Sequence, residues 1–525
     1  MTESHKNHMN GESFDITNPI VRLRVAASSC FFGEPSFYEE KNKAAKLIKP
    51  VGPLTRKVSL SVAQRNSIDK NLGRVGSAEW GANGATLMLE KTIDAALDFD
   101  VEATLAFAAE LRTHLRIRKT PQVIMVRAAN HPKVAGTTHL RTFGNKIMKR
   151  LDDAMVQAEY QLTKFGKPIP SRLKRAWARR LESSTPYELA KYRREGHLVN
   201  LYDLVNISHP KASAQPALNE LMTGKLKLGA STGDIKTWES VRAEGGTWAD
   251  AATEMGHMAL LRNLRNLAED GIVENYLDKL KGGVEKGNQL PFRYFSAYRA
   301  VSHMATPKTL EAIEDCIDKS ILAGIPHFHG KVMHLSDNSG SAWQNQTSEM
   351  GTMKTAEIGN LMSVIGAKAA DEGYVGVFGN RLIRIPIKPS SRTFDALQNV
   401  SAQGQTVGMN TENGIWLFWE EAIRTKEKWN HIFVWSDMQA GHGGLYGPDP
   451  KAYKGFGIHQ DRFINVPKLI AEYRKQVNPD VMVYLVQTAG YEDTLVPEFY
   501  DKTFILGGWS EQIFHFAAEM NEIFG

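Results

Sequence analysis

Apolar residues recur at helical spacing from Ala85 to about Ala323. Leu87, Leu89, Ile93, Ala96 and Leu97 make one such stripe, and Leu105, Ala108 and Leu111 continue it. Ile147, Leu151, Met155 and Ala158 repeat the pattern, as do Leu260, Leu261, Leu264 and Leu267. Alternating positions are almost absent here. Pro121, Pro132, Pro168, Pro186, Pro210, Pro216, Pro291 and Pro307 punctuate the stretch. Many short helices with Pro or Gly breaks predict stacked helical pairs, an α-solenoid or ring, although no crisp internal repeat is visible. Residues 1–20 read as a loose arm.

After Gly324 the pattern changes. Val332–Ser336, Val375–Phe378, Leu382–Ile387, Ile432–Trp435, Val481–Val486 and Phe504–Leu506 read as strands. Met353–Ala370, Ile415–Thr425, Val466–Gln476 and Ser510–Ile523 read as helices. Such alternation predicts a mostly parallel sheet covered on both faces. The expected fold class is α plus α/β, with a helical part over 1–325 and a doubly wound α/β part over 326–525.

Composition adds bounds. With 42% hydrophobic and 23% charged residues over 525 positions, the chain is an ordinary globular one of several domains. No run of about 18 apolar residues predicts a membrane span. The polar Met1–Asp15 lacks the apolar stretch of a secretory signal. The two cysteines, Cys30 and Cys316, stand far apart, so a reducing cytoplasm is expected. Charge is uneven: +6 in total, but −5 over 326–525 and +11 over 1–325. A basic half joined to an acidic one suggests a polyanionic partner, with drift of surface charge as the plain alternative.

The segment Leu335-Ser-Asp337-Asn-Ser339-Gly-Ser341 follows a predicted buried strand. Its carboxylate and two hydroxyls are hard oxygen donors of the kind Mg²⁺ takes, and Gly340 lets the turn bend tightly. Ligands of such sheets bind beyond the carboxyl ends of the strands. Asp437 follows a second predicted strand, and Thr411 sits where the next helix begins; both are expected to complete the set, with Thr406 a rival. Asp-x-Ser-x-Ser is also a common backbone-bonding turn, and placement after a strand is what favours a cation. A hydrolase with Asp337 or Ser339 as nucleophile needs a positioned base. His334 reads as a packed core residue, and His442 as a solvated loop residue. His327-Phe-His329 resembles a ligand pair, with no further partner at zinc-like spacing.

Residues 164–194 hold ten cations, namely Lys164, Lys167, Arg172, Lys174, Arg175, Arg179, Arg180, Lys191, Arg193 and Arg194, against only Glu182 and Glu188. Arg172, Arg175 and Arg179 share one helical face. Guanidinium groups pair bidentately with phosphates and stack on unpaired bases. Trp177 is better read as a packing anchor than as a base platform. His209 and Lys211 extend the set, and Arg112, Arg116, Arg118 and Lys119 form a separate basic cluster. No RRM, KH or zinc-finger signature is present.

Taken together, the chain resembles the Ro-type ribonucleoproteins, in a bacterial or phage-like form: a TROVE module followed by a von Willebrand factor A-like domain. The resemblance rests on Arg118-Lys-Thr-Pro121, Arg172-Leu-Lys-Arg-Ala176, Ala190-Lys-Tyr-Arg193, Ile207-Ser-His-Pro-Lys211 and Ala259-Leu-Leu-Arg-Asn-Leu264. It rests equally on Gly330–Ser341 and the strand leading to Asp437. It implies a ring of HEAT-like repeats whose basic hole takes single-stranded 3′ ends of misfolded RNAs, while Y RNA-like non-coding RNA binds the outer surface. Lys191 and His209 match Y RNA contacts. A third basic position falls at Arg194 or Glu195, because this chain has one extra residue there. It also implies a metal-ion-dependent adhesion site of Asp337, Ser339, Ser341, Thr411 and Asp437. Met409-Asn410 replaces the usual Gly-Gly before the threonine. A monomeric, non-enzymatic protein of RNA quality control is expected, tethering a 3′-exoribonuclease and docking a protein ligand through an acidic residue at Mg²⁺. A metal-dependent interaction scaffold with incidental RNA binding is the alternative.

Overall fold

The structure, a computed structural model, describes residues 2–6, 12–28, 82–192, 199–226, 235–287, 289–344, 353–409, 414–436, 445–446, 459–460, 463–464, 466–488, 502–507 and 511–525. They fall into two compact units. One is Ile16–Glu254; the other is Met255–Gly525 together with Thr2–Asp15. The segment expected as a loose arm carries strands β1 (Thr2–Lys6) and β2 (Glu12–Ile16), paired in a two-stranded sheet.

Beyond β2, the regular structure described in the first unit is helical. It comprises α1 (Pro19–Ser28), α2 (Ala82–Phe99), α3 (Val101–Thr113), α4 (Thr120–Asn130), α5 (His139–Ile147) and α6 (Leu151–Tyr160). Then follow α7 (Ser171–Glu182), α8 (Pro186–Lys191), α9 (Leu201–Ser208), α10 (Ala217–Met222), α11 (Trp238–Ala243) and α12 (Trp248–Glu254). The prolines act as starts as much as breaks. Pro186 opens α8 behind a capping box of Thr185 and Glu188, where its missing N–H costs nothing. A buried polar chain ties three helices. Trp177 is fully buried and donates to Gln157 Oε1 at 2.8 Å, and Gln157 donates to Gln122 Oε1 at 2.8 Å. Each amide finds a partner, so the chain specifies one packing of α7, α6 and α4 at little cost. Trp177 is thus a packing anchor.

The second unit opens with α13 (His257–Arg262), α14 (Leu264–Glu269), α15 (Leu277–Gly282), α16 (Val284–Gly287), α17 (Pro291–Val301) and α18 (Pro307–Gly324). Next come β3 (Phe328–Asp337), α19 (Gly340–Gln344), α20 (Thr355–Lys368), β4 (Ala370–Phe378), β5 (Leu382–Ile387) and α21 (Thr393–Gly404). The chain continues through α22 (Gly414–Thr425) and β6 (His431–Ser436), and through β7 (Leu445–Tyr446), β8 (His459–Gln460) and β9 (Phe463–Ile464) of a small separate sheet. It closes with α23 (Val466–Gln476), β10 (Met482–Gln487), β11 (Thr503–Gly507) and α24 (Gln512–Phe524). Every strand and helix expected after Gly324 is present. Helices α19 and α21 are additions to the expected set, although Phe394, Leu397 and Val400 of α21 are buried at near-helical spacing.

The main sheet runs β11-β10-β6-β3-β4-β5. All its pairs are parallel except β4 with β5. Strand alternation sorts the core into two layers. Met333, Leu335, Ile432 and Val434 face a cluster with Phe418, Trp419, Trp429 and Tyr473. On the other face His334, Phe433 and Tyr484 stack in a row, with Phe514 of α24 edge-on to His334 and Phe433. Helix α20 crosses β3 closely because Gly359 and Gly366 lack side chains. A Cβ on Gly366 would stand 2.3 Å from His334 Cε1. Helix α18 joins this unit through polar contacts. Lys368 is buried and donates to Asp318 Oδ1 at 2.5 Å and Thr393 Oγ1 at 2.9 Å, and Arg392 pairs with Asp315 at 2.7 Å.

Candidate functional site

Strand β3 has β4 on one side and β6 on the other, and the first connection, through α20, leads to β4. The carboxyl ends of β3 and β6 therefore flank a topological switch point, where α/β sheets bind ligands. Asp337 is the last residue of β3 and is buried. Its Oδ1 accepts from Ser339 N at 3.0 Å and its Oδ2 from Ser436 Oγ, at the tip of β6, at 2.7 Å. Ser339 is buried and its Oγ lies 3.2 Å from Ser341 Oγ. One carboxylate and two hydroxyls thus gather at the switch point, an all-oxygen set that suits a small hard cation. Beneath them Asn338 Nδ2 donates to Ser336 O at 3.0 Å and to Asn360 Oδ1 at 2.9 Å, and Asn360 returns a bond to Asn338 at 3.0 Å. This buried amide pair fixes the turn from below. Gly340 N donates to Met409 O at 2.8 Å, joining the turn to the segment before residue 411. Thr411 and Asp437 lie outside the described residues. Thr406 donates to Gln403 O, as a local turn residue does.

His334 takes no part in this site. It is fully enclosed, 4.6 Å from the Phe433 ring, and accepts from Trp435 Nε1 at 3.3 Å. Burial, followed by the nearby His431, pushes its pKa down to about 3. A group so far below neutrality and without solvent access is a core residue, not a general base. His442 lies outside the described residues.

In the helical unit the structure thins out the basic stretch. Lys164 is spent on the buried Glu90 at 2.8 Å, and Arg180 on Glu188 at 2.5 Å. Arg112 is held by Asp153 and the exposed Arg118 by Asp152, both at 3.0 Å. Lys119 is half-buried beside it. Arg172, Lys174, Arg175 and Arg179 line α7 with no ion pair among the described residues; Arg175 is exposed and the others are half-buried. Burial and then the like charges of Arg141 and Arg175 lower the Arg179 pKa from the ordinary guanidinium value. Arg141, on the neighbouring α5, carries no signal in the sequence because only the packing of α5 on α7 brings it there. Two further predicted positions are tied to α7. Lys211 N donates to Glu182 Oε1 at 2.8 Å, anchoring the turn that carries the exposed His209. Lys191 is exposed at the end of α8, its ammonium 5.5 Å from the Tyr187 ring. Arg193 and Arg194 lie outside the described residues.

No family model and no curated protein matches the sequence. Among solved structures, the chain matches the crystal structure of the Deinococcus radiodurans Ro (RSR) protein. The match covers 96% of this chain and 99% of that one, with a TM-score of 0.53 at 12% identity. The fold is that of a Ro protein. In this chain of Ro-like fold the acid-tipped strands and the basic α7 lie in different compact units. No helix among the described residues is long and apolar enough to cross a membrane.

Sequence spacing offers His327 and His329 no third ligand, but Asp371 lies within reach of both rings. It comes from β4, which starts beside β3 in the parallel pair.

Proposed function

We propose that the chain is a non-enzymatic RNA-binding protein of the Ro type. The supporting observation is the cluster of Arg141, Arg175 and Arg179 on α5 and α7: like charges within electrostatic reach of one another, offset only in part by Glu182 and without an ion pair among the described residues. Like charges gathered this way raise the free energy of the unliganded protein, and a polyanion relieves it. RNA phosphates pair with these guanidiniums and with Arg172 and Lys174, while Y RNA-like non-coding RNA engages Lys191, Arg193, Arg194, His209 and Lys211. Arg118 and Lys119 extend the basic surface. The helical repeats form a HEAT-like ring whose hole holds single-stranded 3′ ends of misfolded RNA. The protein works in the cytoplasm as a monomer and presents RNA to a 3′-exoribonuclease.

The second unit has the von Willebrand factor A-like architecture, and Asp337, Ser339 and Ser341, with Thr411 and Asp437, would hold Mg²⁺. When bound, the ion supplies an open coordination position for an acidic residue of a protein ligand. The buried carboxylate beside two hydroxyls 3.2 Å apart supports this part of the reading.

The deciding experiment is fluorescence anisotropy of a labelled single-stranded RNA with the full chain across a salt series. Five phosphate contacts give a slope of log K against log salt of about −3.5. Arg175→Glu with Arg179→Glu should flatten that slope and weaken binding more than about tenfold. Affinity that ignores salt, or the double charge reversal, sinks the reading.

A further inference from the structure

We infer a second metal site, at the opposite end of β3 from Asp337, built by His327, His329 and Asp371 and suited to a borderline transition ion such as Zn²⁺. Its donors come from the amino ends of two neighbouring strands. His327 precedes β3 and His329 is its second residue, so strand alternation sends both imidazoles to one side while Phe328 between them is buried. Asp371 is the second residue of β4, the parallel partner of β3. Its Oδ1 lies 2.6 Å from His327 Nε2 and its Oδ2 lies 3.5 Å from His329 Nδ1. All three ligand atoms fall within 4.8 Å of one another. Tetrahedral Zn²⁺ with bonds of about 2.0–2.1 Å needs its ligands about 3.3 Å apart, so small side-chain rotations suffice.

The backbone prepares this arrangement. The register of β3 against β4 slips between Phe328 and Lys331, a bulge centred on Gly330. Gly330 has φ +83°, and a Cβ there would stand 2.2 Å from Asn430 Oδ1, so the position suits glycine alone. Its N–H donates to Asp371 Oδ2 at 2.9 Å and thereby aims the carboxylate at the histidines. Asn430 Oδ1 accepts from Lys331 N at 2.9 Å and locks the other side of the bulge. Ligating carboxylates are commonly oriented by such a bond. Two imidazoles and one carboxylate select a borderline ion, unlike the hard oxygens around Asp337. The histidines are largely exposed, at 52% and 89%, so the fourth position opens to water.

The test is calorimetric titration of the full chain with Zn²⁺ in millimolar Mg²⁺, which keeps oxygen-only sites filled. The parent should show one tight binding event. His329→Ala and Asp371→Asn should each weaken that event by at least about tenfold, while both variants unfold at the parent temperature in metal-free buffer. Cu²⁺ bound to the parent should show two nitrogen ligands by electron paramagnetic resonance, and one in His329→Ala. No tight event in the parent overturns the proposal, since the cluster is then only a His–Asp ion pair. Equal affinity in parent and variants also overturns it, because Zn²⁺ then binds elsewhere.

Discussion

His334 lends itself to a worked perturbation. It is fully buried against Phe433, and burial together with the neighbouring His431 lowers its pKa from 6.5 to about 3. His431 itself is lowered by burial to about 4. Both imidazoles are neutral in the folded chain and protonate readily once it unfolds. The unfolded state then binds more protons, so the stability they contribute is present above the ordinary histidine value and is lost as pH falls from about 6.5 toward their folded values. Between pH 7 and pH 5 about one and a half units of each difference are expressed. At about 1.4 kcal/mol per unit this removes about 2 kcal/mol for each imidazole and about 4 kcal/mol for the pair. His334→Leu deletes one titrating group. Its packing cost is the same at both pH values and cancels from the comparison. Urea unfolding of parent and variant at pH 7 and pH 5, followed by tryptophan fluorescence, gives the two losses. The variant should lose about 2 kcal/mol less than the parent. Equal losses would refute the assignment of His334 as a buried neutral base.

Further outcomes follow from the same contacts. Gly373→Ala places a Cβ 1.9 Å from Ala367 O where α20 turns into β4; a loss of at least about 3 kcal/mol is expected by thermal unfolding, and an unchanged midpoint contradicts the close approach of helix to strand. Lys368→Met strips the ammonium from Asp318 and Thr393 in a buried setting and should cost about 3 kcal/mol or more, measured by denaturant titration. Mg²⁺ at a hundredfold its Kd should stabilise the second unit by about 2.7 kcal/mol; Ser339→Ala should abolish this shift, and excess EDTA should reverse it in the parent. Arg141→Glu should weaken single-stranded RNA binding as much as Arg175→Glu does, and indifference to Arg141 would separate it from the basic cluster.

Local pattern determined a large part of this protein. Apolar periodicity of 3.6 in one stretch, and short strand segments alternating with helices in the other, separated the helical stretch from the α/β stretch, and local pattern located Leu382–Ile387 and Val466–Gln476 to the residue. The Asp-x-Ser-x-Ser turn was legible because its donors are sequence neighbours and its strand is a continuous apolar run. What local pattern could not supply was partnership across the chain. Ten basic residues looked alike in sequence, yet Lys164 and Arg180 are absorbed by Glu90 and Glu188, while Arg141 joins Arg175 and Arg179 from another helix. Two histidines looked incomplete until the parallel pairing of β3 with β4 brought Asp371 beside them. Periodicity records which face of an element is buried. Only packing decides which charges meet, because the pairing of strands and helices joins residues that no local spacing connects.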